Sequence, residues 1–299
     1  MLDQLAIINP GATIPLADGR LLGYAAYGDP GGWPLVFFHG TPGSRIFARL
    51  AAAEARARGI HLLAPERPGY GLSDPQPGRR LRDWLEDMRQ LAAALELERF
   101  GVLGLSGGGP YAAACAWGLA DKVEAAAIVS GVAPPEALAA GQPWYLRCLA
   151  AVVRRPWLTT PFLAVLPPLL RYQSGLVLAA LTRFTPRADR ALLASPDIWQ
   201  LEREGLAEAW RQGVAATATD LSLFTQPWGF PLADIRVPVY LWYGEADRLV
   251  PVSQGRYLAE RIPKCRARFI PNAGHLWILS GFREVLRTLQ EGKQAAGDC

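Results

Sequence analysis

The run Gly104-Leu105-Ser106-Gly107-Gly108 sets one serine between glycines two positions to either side, and the pattern G-x-S-x-G occurs nowhere else in the chain. Nine serines and 30 glycines would give about 0.1 such matches by chance. The chemistry this arrangement suits is nucleophilic attack by the hydroxyl. A serine on a sharp strand-to-helix turn is held out of the sheet, and the residues flanking it must be small so that strand and helix can approach. The strand-like "FGVLGL" precedes it and the helix-like "GGGPYAAACAWGLA" follows, with Pro110 suited to a first helical turn. Gly104 and Gly108 are read as the close-approach positions. Gly107 is read as a backbone donor whose side-chain space matters little, and Gly109 as filling the first turn only. A phosphate loop would need Lys and then Ser/Thr after its last glycine, whereas Pro110 and Tyr111 follow Gly109.

A serine hydroxyl needs a base, and the base an orienting acid. The chain has three histidines. His275, in "PNAGHLWIL", falls in a loop after the last expected strand and is the candidate base. His61 opens an apolar strand and reads as structural, and His39, in "FFHGTPGSR", as a pin of its own loop. Asp247, in "WYGEADRLVP", follows a strong strand and is the candidate acid; Glu245 is the second choice. Asp220 and Asp234 precede that strand and are expected at the wrong end or side. Oxyanion donors are expected from the backbone N–H groups of Gly107 and Thr41, since Pro42 has none. The tempting Ser73 in "GYGLSDP" is read as part of a structural turn, in which Glu66 and Arg67 could pair with each other.

The elements that must position these residues follow from the hydrophobic pattern. Short continuous apolar runs ("LVFF", "HLLAP", "FGVLGL", "VEAAAIVSG", "VPVYLWYG") alternate with helix-like segments. That rhythm predicts an α/β fold, a mostly parallel sheet with helices on both faces. The opening "GRLLGYAAYGD" suits an antiparallel edge hairpin. The rhythm stops after the sixth strand. Residues 135–212 are expected to form an all-helical cap (lid) inserted into a core made of 1–134 and 213–299. Trp144, Tyr145, Trp157 and Phe162 are candidates for lining a pocket beneath it.

The pieces "FFHGTPGSR", "ERPGYGLSDP", "GLSGGGPYA", "PVYLWYGEADRLVP" and "PNAGHLWIL" resemble the α/β-hydrolase fold family of the lidded type, over nearly all of the chain outside the cap. The resemblance implies an eight-stranded sheet, a catalytic triad of Ser106, Asp247 and His275, and oxyanion donors at Thr41 and Gly107. More loosely the chain resembles the proline iminopeptidase branch. It departs there by reading His39-Gly40-Thr41-Pro42-Gly43 in place of HGGPG, and Gly107-Gly108 in place of Trp-Gly. Branches that use an aspartate nucleophile are disfavoured by Ser106.

Composition narrows the rest. With 51% hydrophobic and 19% charged residues the chain is globular, and a net charge of +4 without basic runs gives no support for nucleic-acid binding. The first residues, "MLDQLAIINP", do not read as a signal peptide. The apolar stretch from Trp144 to Tyr172 is broken by Arg and Pro, and stable membrane insertion is not expected. Four dispersed cysteines suggest no zinc site and no disulfide framework, consistent with a cytoplasmic location. The expected function is that of a serine carboxylesterase acting on a small-molecule ester, with no cofactor and no metal. A homodimer is left open. Alternatives are an aminopeptidase or amidase, for which Glu202, Glu204 and Glu208 in the cap are available to hold a substrate ammonium although a helical setting suits a solvated face, a non-hydrolytic use of the triad, and a ligand-binding member of the fold.

Overall fold

The computed structural model describes residues 6–139, 151–173, 175 and 186–297. The chain forms eight strands: β1 (Ile7–Pro15), β2 (Leu21–Gly28), β3 (Trp33–Phe38), β4 (Ile60–Pro65), β5 (Phe100–Leu105), β6 (Val123–Val129), β7 (Val239–Gly244) and β8 (Cys265–Ile270). They join into one sheet in the order β1-β2-β4-β3-β5-β6-β7-β8. The pairs β1–β2 and β2–β4 are antiparallel and the others parallel, so the opening hairpin lies at one edge as expected. The described helices are α1 (Ala52–Ala57), α2 (Trp84–Ala94), α3 (Gly109–Gly118), α4 (Pro135–Ala139), α5 (Pro156–Leu163), α6 (Leu166–Tyr172), α7 (Arg187–Leu193), α8 (Pro196–Ala209), α9 (Ala215–Phe224), α10 (Val252–Arg261) and α11 (Ile278–Gly297).

Successive strand residues point to opposite faces, which is why strands covered on both sides read as unbroken apolar runs. Val36, Phe38, Val102, Ile128 and Leu241 pack with α2, α3 and α10 on one face. Their alternates Leu35, Phe37, Leu103, Val129 and Trp242 pack with α1 and α11 on the other. Each such Val, Leu or Phe contributes about 1.5–3 kcal/mol on full burial. The stripe that α11 lays down is Ile278, Phe282, Val285, Leu286 and Leu289, a helical spacing that keeps one side against the sheet. Both outer strands are poor templates for further pairing. The β1 register slips between Ile7, Asn9 and Ala12, and β8 turns Arg266 and Arg268 outward.

Between β6 and β7 the described residues form helices and one short 3-10 turn, with no strand among them. α8 is tied to the turn after β3: Ser44 Oγ donates to the Gly205 carbonyl at 2.9 Å, and Arg45 pairs with Glu208 at 2.6 Å. Among the described residues no helix is long and apolar enough to cross a membrane.

The β5–α3 turn is built on glycines, two of them as anticipated and two under more constraint than the sequence suggested. A Cβ at Gly104 would lie 2.4 Å from the Gly108 carbonyl oxygen, and one at Gly108 would lie 2.1 Å from that of Phe38. At Gly107 a Cβ would stand 2.3 Å from Thr41 Oγ1, so side-chain space there is not free. At Gly109 it would stand 2.8 Å from Gly131 Cα, which gives that residue a packing role against the end of β6. Gly104→Ala and Gly108→Ala are therefore expected to cost at least about 1–3 kcal/mol each in chemical denaturation, the range of overpacked cores. Gly109→Ala should cost less than either. Equal losses at all three would mean that strand–helix approach is not the limiting constraint.

Candidate active site

Ser106 stands immediately after β5 with φ at +52°, in the left-handed region, and opens the turn that runs into α3. For a residue with a Cβ that conformation costs about 1–3 kcal/mol and persists only where the surroundings impose it. Here they do. β5 is central in the sheet, α3 begins within three residues, and the Val132 N–H donates to the Ser106 carbonyl at 3.2 Å. The side chain is partly exposed at the C-terminal edge of the parallel strands, where open α/β sheets bind ligands.

Asp247 and His275 occupy the loops after β7 and β8 at that same edge. The loops are stitched together, Glu245 N–H donating to the Ile270 carbonyl at 3.0 Å and Ala246 N–H to the Ala273 carbonyl at 2.9 Å. Asp247 is buried with both oxygens engaged. Oδ1 accepts from the backbone N–H groups of Leu249 and Val250 at 2.8 and 2.9 Å, while Oδ2 lies 2.7 Å from His275 Nδ1. A carboxylate at Nδ1 fixes the tautomer protonated there and leaves Nε2 as an acceptor. Glu245, the alternative acid, is instead exposed and 3.7 Å from Arg256. Ser106 Oγ makes no hydrogen bond to the His275 ring among the described residues, a common condition in sites without substrate.

The loop after β3 is the third part. A Cβ at Gly40 would lie 3.6 Å from Ser106 Cβ, and Thr41 Oγ1 lies against Gly107. Arg67, fully buried, sets the loop's peptide planes. It donates to the His39 carbonyl at 2.6 Å, the Gly40 carbonyl at 2.9 Å and Thr41 Oγ1 at 2.7 Å. In a trans peptide the carbonyl and the next N–H point in opposite directions. With the Gly40 carbonyl drawn to Arg67, the Thr41 N–H faces away from it. Neither Thr41 N–H nor Gly107 N–H donates a hydrogen bond among the described residues. His39 pins the loop, as expected: its Nδ1 donates to the Gly40 carbonyl at 2.8 Å and its Nε2 accepts from Arg67 N–H at 3.4 Å. Burial and the neighbouring Arg67 hold this imidazole well below its ordinary range, so it stays neutral.

Arg67 is anchored by Asp220 of α9, a residue the sequence reading placed on the wrong side of the sheet. Asp220 is fully buried and accepts five hydrogen bonds. Oδ2 takes Thr41 Oγ1 at 3.0 Å, Arg67 Nε at 2.8 Å and Tyr70 OH at 3.0 Å; Oδ1 takes an Arg79 guanidinium nitrogen at 2.5 Å and Tyr111 OH at 2.6 Å. Burial alone would raise its carboxyl, but Arg67 and Arg79 outweigh that and hold it below the ordinary carboxylate range. Arg67 does not pair with its neighbour Glu66. That carboxylate turns the other way, to Arg45 at 3.0 Å and to the N–H of Leu72 at 2.8 Å. A signal for Asp220 was available, since it is the single charge in the otherwise uncharged helix "AATATDLSLF".

Two more carboxylates on the helices between β6 and β7 bear on His275, one by direct contact with its loop and one through its charge. Asp189 of α7 is buried and accepts from His275 N–H at 2.7 Å and Leu276 N–H at 3.1 Å. Glu202 of α8 has no hydrogen bond or ion pair among the described residues and acts electrostatically on His275. Burial pushes its carboxyl up to about 7. The expected pocket aromatics fare differently. Trp144 and Tyr145 lie outside the described residues. Trp157 and Phe162 are 70% and 73% exposed, because α5 buries Thr159 and turns both rings to solvent. His61 sits at the N-terminal end of β4, away from the site. Among the described residues no group of three or more His, Cys, Asp or Glu is arranged to hold a metal ion.

A sequence profile described as the alpha/beta hydrolase family matches residues 35–288. A non-heme chloroperoxidase of Streptomyces lividans is 32% identical over 124 residues, 41% of this chain and 45% of that protein, so the chain spans less than half of that relative's length in the match. A pimeloyl-(acyl-carrier protein) methyl ester esterase of Chromobacterium violaceum is 29% identical over 262 residues, 87% of this chain and 91% of the relative. Among solved structures, a thermophilic esterase of Thermogutta terrifontis superposes with a TM-score of 0.69 at 22% identity, covering 96% of this chain and 98% of that one. That last likeness speaks to fold. Taken with the eight-stranded sheet and the left-handed serine at the end of β5, the profile match over most of the chain's length establishes that it belongs to the alpha/beta hydrolase family.

Proposed function

We propose that this chain is a serine hydrolase that cleaves carboxylic esters through an acyl-enzyme intermediate. The observation that carries the reading is the Asp247–His275 contact of 2.7 Å, at the same sheet edge as the left-handed Ser106 and its neighbouring unengaged N–H groups. Ser106 Oγ attacks the acyl carbon while His275 Nε2 takes its proton. Asp247 holds the Nδ1–H and stabilises the imidazolium. The tetrahedral oxygen is received by the N–H groups of Thr41 and Gly107, the latter at a helix start whose dipole favours negative charge. His275 returns the proton to the leaving alcohol, and a water activated by the same ring releases the acid. The helices between β6 and β7 act as a cap over this edge and shield it from water. An esterase among the relatives that cover most of the chain supports the ester as substrate.

A second reading has one specific observation behind it. Glu202, which has no hydrogen bond or ion pair among the described residues and is electrostatically coupled to His275, would receive a substrate ammonium and so favour aminoacyl esters or amides. Glu204 and Glu208, the other carboxylates on that helix, are taken up by Arg49 and Arg45.

Four variants and a labelling probe test these assignments. A fluorophosphonate probe should label the protein and leave Ser106→Ala unlabelled, while Asp247→Asn should keep its fold and lose about 10²–10⁴-fold in kcat. Near-normal turnover in Asp247→Asn would remove that residue from the role of acid. Asp220→Asn, which leaves two guanidiniums facing each other, should cost about 3–5 kcal/mol in denaturation and lower kcat for every ester. An unchanged kcat would disconnect the buried cluster from the oxyanion loop. Glu202→Gln should lower kcat/KM about 10–100-fold more for aminoacyl esters than for acetate esters, the range of a lost charge-assisted hydrogen bond. Because the carboxyl titrates near 7, the preference for amine-bearing substrates should be present above that pH and fade as pH falls through it. Equal effects on both substrate types would retire the second reading.

A further inference from the structure

Asp189 stands outside the catalytic sequence just described, yet it makes the most direct contact between the helices that follow β6 and the base. Its two carboxylate oxygens accept the consecutive backbone N–H groups of His275 and Leu276, at 2.7 and 3.1 Å. Those donors open the 3-10 turn His275–Trp277, which runs without a break into α11. First-turn N–H groups have no partner within their own helix. They would otherwise be satisfied by water, and the loop bearing the imidazole would be fixed from one side only, by its stitching to the Asp247 loop. The neighbouring residue is matched to this contact. A Cβ at Gly274 would lie 2.3 Å from Asp189 Oδ2, so only glycine lets the carboxylate sit this close.

We propose that Asp189 is a positioning residue that latches the His275 turn to α7, so that docking of this helix and correct placement of the imidazole are one event. The inference rests on the reading of His275 as the base. It separates two properties of Asp189. The geometric one is that its oxygens hold two successive peptide groups of the loop. The electrostatic one is that it adds a negative charge beside the imidazole, whose other acidic neighbours are Asp247 at Nδ1 and Glu202 from α8. A residue that only fastened α7 to the core would do neither. Its loss would loosen substrate binding without altering the ring.

The test compares Asp189→Asn with the parent protein on 4-nitrophenyl acetate, an ester small enough to need little contact with the helices over the site. The amide keeps the shape but aims a donor at one of the two N–H groups. We expect kcat to fall about 10–100-fold, the effect of a displacement of the order of 1 Å in a reacting group, with KM changing less than kcat. Gly274→Ala displaces the same carboxylate from the other side and should reproduce the loss of kcat, which keeps the inference testable if Asp189→Asn folds poorly. Unchanged kcat in either folded variant, or a loss confined to KM, overturns the proposal. His275→Ala separates the two levels. If it retains turnover, the base assignment itself fails; if it is inactive while Asp189→Asn is normal, only the latch fails.

Discussion

A carboxylate without solvent sits under the loop that faces Ser106, and most of the site's geometry can be traced to it. Taking Asp220 out of water costs several kcal/mol by desolvation, a penalty recovered only if every lone pair is met and opposite charge is close. Both conditions hold, through Arg67 and Arg79 and the hydroxyls of Thr41, Tyr70 and Tyr111. These donors come from the loop after β3, the turn after β4, the segment before α2, and α3 itself. The cluster therefore joins the two elements that would receive an oxyanion. Arg67 also lies over the Tyr111 and Tyr70 rings, 4.9 and 5.2 Å from their centroids, which limits its movement further. Because the same guanidinium grips the His39 and Gly40 carbonyls, the direction of the next N–H groups follows from where Asp220 is placed.

A second ionic centre lies beside the first and has a different character. Glu66 is buried, and burial raises its carboxyl despite Arg45. Arg45 in turn reaches Glu208 on α8 at 2.6 Å. The first centre orders the floor of the site, while the second, with the Asp189 contact, ties the helices between β6 and β7 to its rim. Adjacent residues Glu66 and Arg67 serve one centre each, although as neighbours of opposite charge they look like a pair.

That contrast indicates what a linear reading can reach. The sheet, the serine turn and the Asp247 and His275 loops were legible because each is local. Apolar runs mark strands, glycines mark a close approach, and a polar residue just past a strand end marks a loop at a known edge. Asp220 and Asp189 were not legible in their roles. Arg67 and Asp220 are 153 positions apart and His275 and Asp189 are 86 apart, and such pairings depend on where a helical excursion returns to the sheet. Trp157 and Phe162 illustrate the converse error. Aromatic type suggested a pocket, but the face each ring takes is set by the packing of α5, in which Thr159 is the buried position.

The outer strands carry a consequence for how the molecule behaves among its own copies. β8 exposes Arg266 and Arg268 on one face, with Arg268 paired to Glu284 of α11, and the register of β1 slips twice before Ala12. Charged side chains on one edge strand and register irregularity on the other disfavour the addition of a further strand. Fusion of two sheets into a longer one is thus disfavoured at both ends.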